Sequence, residues 1–235
     1  MKKKIRAAVE NPPADGQSPD VCMAQTQTGS RSEIPMTQMG FTQETFPAGT
    51  HMCLIYSQEA ERRNIIGKFL ESGLLAGEKV AYFADTLSPD EVRGWLRDIG
   101  IELPDVDGFS ISDATKTYCS SGEFVPETML DTLRKFYRQA KEEGYPNARV
   151  SGEMSWALKG IPGSDRLMEY EALINEILIT HPVTAICQYD ASRFSGATIL
   201  DVLKVHPMMV VHGQIVHNPF YMRPRDFLKD FQGRP

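Results

Sequence analysis

The chain has 235 residues, of which 41% are hydrophobic and 24% charged, the ordinary balance of a soluble globular protein with material for one substantial core. Lys and Arg number 25 against 31 Asp and Glu, and the resulting net charge of -6 argues against general phosphate-backbone binding, which needs clustered cations. No apolar run approaches the roughly 18 residues of a membrane helix, and the basic Met1–Lys4 start leads into a stretch too short and polar for a signal peptide.

Residues 1 to 45 are rich in turn formers and polar residues without a sustained period, as in Asn11-Pro12-Pro13 and Gln25-Thr26-Gln27-Thr28-Gly29-Ser30. They read as a disordered N-terminal tail, too short and irregular for a helix-turn-helix, and residues 46–235 read as one domain. From His51 onward, apolar runs of strand length alternate with amphipathic stretches of helix length. Met52–Tyr56 predicts a strand. Ala60–Glu71 predicts a helix, with Ile65, Ile66, Phe69 and Leu70 at helical spacing and Gly73 just past its end. Lys79–Ala84 is a strand. Ser88-Pro89-Asp90-Glu91 then supplies an N-cap, a proline at the first helical position and acids in the first turn.

Gly108–Ser112 is a weaker strand and Thr128–Glu143 a long helix. Ala148–Gly152 is strand-like, Arg166–Thr180 helical, and Pro182–Tyr189 the clearest strand. A short helix over Thr198–Lys204 precedes a closing hairpin, Met208–Val211 and Gln214–Val216, turned at His212-Gly213. The alternation predicts a three-layer α/β domain, a mainly parallel sheet with helices on both faces.

In such sheets ligands bind at the carboxyl ends of the strands. The residues expected there are Tyr56-Ser57, Asp85, Asp113, Glu153 and Tyr189-Asp190. A crevice so lined with carboxylates repels phosphate and suits a polar organic molecule or a cation, although Asp85 and Asp113 also fit as caps of turns. Trp156 and the Phe220-Tyr221 pair offer apolar walls that serve a pocket or a core equally. His206 fits either a satisfied core position or a view into the crevice. His51 and Cys53 share a strand face, and Cys187, His206 and His212 could add ligands. The spacings match no zinc pattern, however, so neither a metal site nor any cofactor is expected. Cys22, Cys53, Cys119 and Cys187 contain no CxxC pair and read as reduced thiols of a cytoplasmic protein.

Two nested resemblances follow from longer stretches. Glu71-Ser72-Gly73-Leu74-Leu75-Ala76-Gly77-Glu78-Lys79-Val80, then Ser88–Val92 and Ile99-Gly100-Ile101, are similar to RecA-like ATPases of the KaiC type. At the place of that family's phosphate loop stands Tyr56-Ser57-Gln58-Glu59-Ala60-Glu61-Arg62-Arg63, which has no glycine, so its backbone amides cannot curl around a phosphate. Glu153 sits near the place of a Walker B acid. More closely, His51–Tyr56, Gly73-Leu74 with Gly77-Glu78, Arg149–Trp156, Tyr170-Glu171, Cys187–Asp190 and His206-Pro207 resemble the MEDS domain, the sensory domain of DcmR-type regulators. That resemblance spans residues 46–228. It implies a RecA- and KaiC-like fold with its phosphate loop lost, and a non-catalytic role in ligand sensing and signal transduction for transcription regulation. It further implies a hydrocarbon-derivative ligand and a kinase or transcriptional regulator as partner.

The ligand-binding set expected on these grounds is His51, Cys53, Tyr56, Asp85, Glu153, Trp156, Tyr189, Asp190 and His206, with neither direct nucleic-acid nor membrane contact. Two alternatives stand beside it: a degenerate RecA-like scaffold, and a small-molecule enzyme with Glu153 or Asp190 as general base.

Overall fold

The computed structural model describes residues 34–102 and 107–233. A short hairpin of β1 (Met36–Gln38) and β2 (Thr45–Pro47) leads into β3 (His51–Tyr56), α1 (Glu59–Leu75), β4 (Lys79–Ala84) and α2 (Pro89–Asp98). Next come β5 (Phe109–Asp113), α3 (Ala114–Tyr118), α4 (Pro126–Glu142) and β6 (Ala148–Glu153). Two 3-10 turns, Met154–Lys159 and Ser164–Arg166, precede α5 (Leu167–Ile177). β7 (Val183–Asp190), α6 (Gly196–Val205), β8 (Met208–Val211), β9 (Gln214–His217) and α7 (Pro224–Gln232) complete the described chain.

Seven strands form one sheet in the order β5-β4-β6-β7-β3-β8-β9, all parallel except the closing β8–β9 hairpin. Strand alternation sends Met52, Leu54, Tyr82 and Ile186 to a core under α1 and α2. Cys53, Val150, Ala185, Cys187 and Tyr189 go to a second core under α4, α5, α6 and α7. Both faces are covered, so the central strands β4 and β6 are buried throughout, as a parallel sheet demands. The hairpin turn at His212-Gly213 has positive φ at both residues, 48° and 72°, the hand that matches strand twist.

The expected strands and most of the expected helices are present, with three differences. First, α1 runs to Leu75 and contains Gly73. A Cβ there would lie 2.4 Å from Arg149 Nε, so the glycine makes room for a buried guanidinium and does not end the helix. Second, ordered structure begins before residue 46. Arg149 is fully buried and needs acceptors: it donates to Glu78 Oε2 and to the carbonyls of Phe69 (2.8 Å) and Gln38 (3.1 Å), and to Thr37 Oγ1 (2.8 Å). Thr37 in turn donates to Glu78 Oε1 at 2.6 Å. Residues 36–38, expected in the tail, are thereby part of the domain's polar framework; residues 1–33 of that expected tail lie outside the described residues. Third, α3, the 3-10 turns and α7 are additional. Pro224 at the start of α7, with Phe227 fully buried and stacked on Phe231, was the available signal for that helix.

The start of α2 is a full capping box. Glu91 N donates to Ser88 Oγ (3.3 Å), and Ser88 N donates to Glu91 Oε2 (2.8 Å). These bonds from Ser88 hold the Glu91 carboxyl below its ordinary range. A depressed carboxylate contributes stability above its unfolded pKa and loses it as pH falls through the folded value, so the box weakens in acid. Ser88→Ala is expected to cost about 1 kcal/mol in urea denaturation at neutral pH. The cost should shrink in acid, where Glu91 is protonated in wild type and variant alike.

Candidate functional site

At the carboxyl edge, neighbouring strand ends present Asp113, Asp85, Glu153, Gln188, Asp190 and Tyr56. The connection from β3 to α1 is only Ser57 and Gln58, so the helix starts where a phosphate-binding loop would still be turning. The first turn of α1 instead sends Arg62 into the sheet, where it is 2% exposed. Its Nη1 donates to Tyr82 Oη (3.0 Å), Glu153 Oε1 (3.0 Å) and Gln188 Oε1 (2.9 Å), while Nε and Nη2 form a bidentate pair with Glu59. The Arg62 guanidinium lies 5.4 Å from the Tyr56 ring centroid.

Glu153 is saturated. Its Oε1 accepts from Arg62 and Tyr82, and its Oε2 from the amides of Asp85 (2.9 Å) and Thr86 (3.1 Å) and from the Thr86 hydroxyl (3.1 Å). Burial first, and the Glu153 charge second, push the Tyr82 phenol well above its ordinary pKa, so it stays a donor. Asp85 accepts from Ser155 and Lys159, Asp113 caps α3 through the Lys116 amide, and Asp190 holds the turn at Ser192. The expected acidic crevice is therefore corrected: these carboxylates are neutralised or engaged in local bonds. With both oxygens bonded, Glu153 lacks the free carboxylate of a general base, while Asp190 accepts at Oδ1 from Ser192.

The nine expected binding residues do not share one crevice. Trp156 is fully buried in an aromatic cluster, stacked on Tyr118 at 4.9 Å and tilted against Phe124 at 4.7 Å. His51 and His206 stand at the other end of the sheet, before the β3–β8 pairing begins at Met52 and Met208. Tyr189 faces away from Glu153, donating to Glu171 Oε1 at 2.8 Å. The Cys53 thiol points at the Met208 carbonyl, and burial raises it to about 12.

Under α5 and α6 the fold instead assembles His51, Glu171, Cys187 and His206, all buried, with ligating atoms within 4.8 Å of one another. The His51 and His206 rings are 4.3 Å apart. Burial, with His206 adding to it, lowers the His51 pKa, favouring a neutral imidazole. His212 does not join them; it lies on the exposed β8–β9 turn near Glu61. Glu171 is the member that spacing missed, because a lone acid on an apolar helix face carries no local pattern. Beside this cluster lies a concavity of about 330 Å³, lined by Thr50, His51, Asn175, Leu178, Met208 and Tyr221 among others. Cys53, Cys119 and Cys187 are free and buried; Cys22 lies outside the described residues.

A mainly parallel α/β sheet whose first strand runs into α1 through a short connection without glycine defines a RecA-like fold without a phosphate cradle. One solved structure agrees on the fold. The KaiC-like protein PH0186 from Pyrococcus horikoshii OT3 superposes with a TM-score of 0.55 at 15% identity, over 75% of this chain and 79% of that one. The flagellar accessory protein FlaH of Methanocaldococcus jannaschii gives 0.49 at 10% identity, over 70% and 74%. Residues 50–207 match the family described as MEthanogen/methylotroph, DcmR Sensory domain, and the chain belongs to this MEDS family. The transcriptional repressor DcmR of Methylorubrum extorquens is 32% identical over 162 residues, 66% of this chain and 57% of the repressor's length. No helix among the described residues is long and apolar enough to cross a membrane.

Removing one member of a buried ion pair leaves the other uncompensated. Arg62→Met is expected to destabilise the domain by about 3 kcal/mol in urea denaturation, at the low end of the usual 3–5 because Glu153 keeps its amide donors. Arg62→Met with Glu153→Gln should recover part of that loss.

Proposed function

We propose that this domain is a non-catalytic, cytoplasmic sensor of a small organic molecule, a hydrocarbon derivative, which signals to a kinase or transcriptional regulator. The observation that carries this reading is the engaged carboxyl edge: the β3–α1 connection has no glycine to cradle a phosphate, Arg62 is buried there, and both Glu153 oxygens are bonded to Arg62, Tyr82, Asp85 and Thr86. Membership of a sensory-domain family, and a relative named as a transcriptional repressor, support the regulatory role.

The concavity at the amino end of β3 is the better ligand site than the closed carboxyl edge. Leu178, Ile179, Pro207 and Met208 supply apolar wall, and His51, Asn175 and Tyr221 supply a few polar groups, the usual make-up of a small-molecule pocket. Its walls come from β3, α5, the start of β8 and the segment before α7. A ligand that favours one arrangement of these elements shifts their population and changes the surface offered to a partner.

Thermal denaturation against small alcohols, halocarbons, methylated compounds and nucleotides tests the reading. An organic compound is expected to raise the Tm saturably, by the equivalent of about 2.7 kcal/mol at one hundred times its Kd. ATP and GTP are expected to leave it unchanged, and Thr50→Trp, which plugs the concavity, to abolish the organic shift. A rise with nucleotides alone would overturn the sensor in favour of a nucleotide-binding scaffold.

A further inference from the structure

The cluster of His51, Glu171, Cys187 and His206 has more lone pairs than protons. Asn175 Nδ2 donates to the carbonyls of Glu171 (3.2 Å), Ala172 (3.2 Å) and Val205 (2.8 Å), which fixes Asn175 Oδ1 toward His51 Nδ1 at 3.1 Å. His51 Nδ1 must therefore carry the proton. His206 Nδ1 faces the Val202 carbonyl at 2.8 Å, again an acceptor, so its proton is on Nδ1 too. In each ring Nε2 is then the nitrogen left for the cluster, and both aim at Glu171 Oε2, at 3.2 Å from His51 and 3.4 Å from His206. The Cys187 thiol, 3.4 Å from Glu171 Oε2 and 3.5 Å from His51 Nε2, has one proton to offer two acceptors. His206 Nε2 is fully buried and has no hydrogen-bond partner among the described residues. Lone pairs converging in a dry interior repel one another unless a proton or a metal cation sits between them, and one cation can serve all four groups at once.

The separations say what that is. A tetrahedral ion with bonds of roughly 2.0–2.3 Å to nitrogen, oxygen and sulfur has ligand-to-ligand edges of about 3.3–3.8 Å. Four of the six edges, 3.2 to 3.5 Å, are of that size, and the two that join His206 to His51 and Cys187 lie within 4.8 Å, so a small inward turn of these side chains completes the tetrahedron. The outer bonds match as well: each imidazole donates its far N–H to an oxygen, and Tyr189 donates to the remaining Glu171 oxygen at 2.8 Å. A thiolate and a carboxylate also balance a divalent charge, leaving the buried site neutral. His51 and Asn175 reach the concavity, which gives a cation a way in from solvent.

We propose that His51 Nε2, Glu171 Oε2, Cys187 Sγ and His206 Nε2 form a tetrahedral site for a divalent cation of the zinc class. Mixed nitrogen, sulfur and carboxylate ligands suit zinc better than calcium or magnesium. On binding, the Cys187 S–H bond breaks, its proton leaves to solvent, and the thiolate takes the metal in its place. The cation site is independent of the organic-ligand reading, since uptake is measured with no organic probe present.

The test uses the full chain, stripped with chelator and titrated with Co²⁺ or Zn²⁺. One equivalent of Co²⁺ should give intense tetrahedral visible bands and a thiolate-to-cobalt charge-transfer band. Cys187→Ser should lose the charge-transfer band, and His206→Gln the tetrahedral intensity. Asn175→Ala, which frees the His51 ring, should weaken Zn²⁺ binding by about 10–100-fold. Cys53→Ser, whose thiol faces a carbonyl, should bind like wild type. X-ray absorption of the zinc-loaded wild type should show one sulfur and three nitrogen or oxygen neighbours, a readout that requires no variant to fold. A folded wild type that takes up neither ion at micromolar concentration, a zinc environment with no sulfur or several, or an unchanged cobalt spectrum in folded Cys187→Ser would each overturn the site.

Discussion

The carboxyl edge of this sheet depends on one buried ion pair. Arg62 enters from α1, Glu153 from the end of β6, and Tyr82 and Gln188 close the ring from β4 and β7. Charges in a dry interior are tolerated only when paired and fully hydrogen-bonded, and this pair meets both conditions. The consequence is functional. At this edge the Arg62 guanidinium is buried within the domain, and both Glu153 oxygens are engaged in holding it and the Asp85–Thr86 turn. Of the carboxylates expected to line an open crevice, Glu153 and Asp85 are paired with Arg62 and Lys159, and Asp113 and Asp190 hold local turns.

A second arginine on the same face does similar work at the opposite end of α1. Arg149 rises from the start of β6 to the Phe69 carbonyl near the end of α1, and takes Glu78 and the β1 segment with it. The helix is thus tied to the sheet by guanidinium groups near both ends. The other face follows a different logic: under α5 and α6 the polar groups are imidazoles, a thiol and a carboxylate with few protons among them. One face is held by donors meeting acceptors, while the other gathers acceptors around a point.

Much of the fold was legible because its signals are local. Lys79–Ala84, an apolar run behind a single lysine, has the bounds the structure shows. Ser88-Pro89-Asp90-Glu91 writes out a capping box in four residues, and His212-Gly213 marks a hairpin turn. The boundary near residue 46 was misplaced because Thr37 looks like any polar residue until Arg149 and Glu78 are beside it. Gly73 looked like a helix stop because its close neighbour lies 76 positions away in the chain. Nearness to strand ends groups Trp156, Tyr189 and His206 with Glu153, but the pleat turns Tyr189 to the opposite face, Trp156 lies in the 3-10 turn after β6, and His206 stands at the other end of the sheet.

By itself the sequence determined the alternation of strands and helices, the parallel layered class and the loss of the phosphate loop, since a stretch without glycine cannot form that cradle in any fold. Only the tertiary structure decided which side chains meet. Arg62 and Glu153 are 91 positions apart, and His51 and Cys187 are 136 apart. Such encounters are set by strand order and by the face each residue takes in the pleat. Neither leaves a trace in the spacing of neighbours along the chain, because backbone propensity acts over a few residues and packing acts over the whole domain.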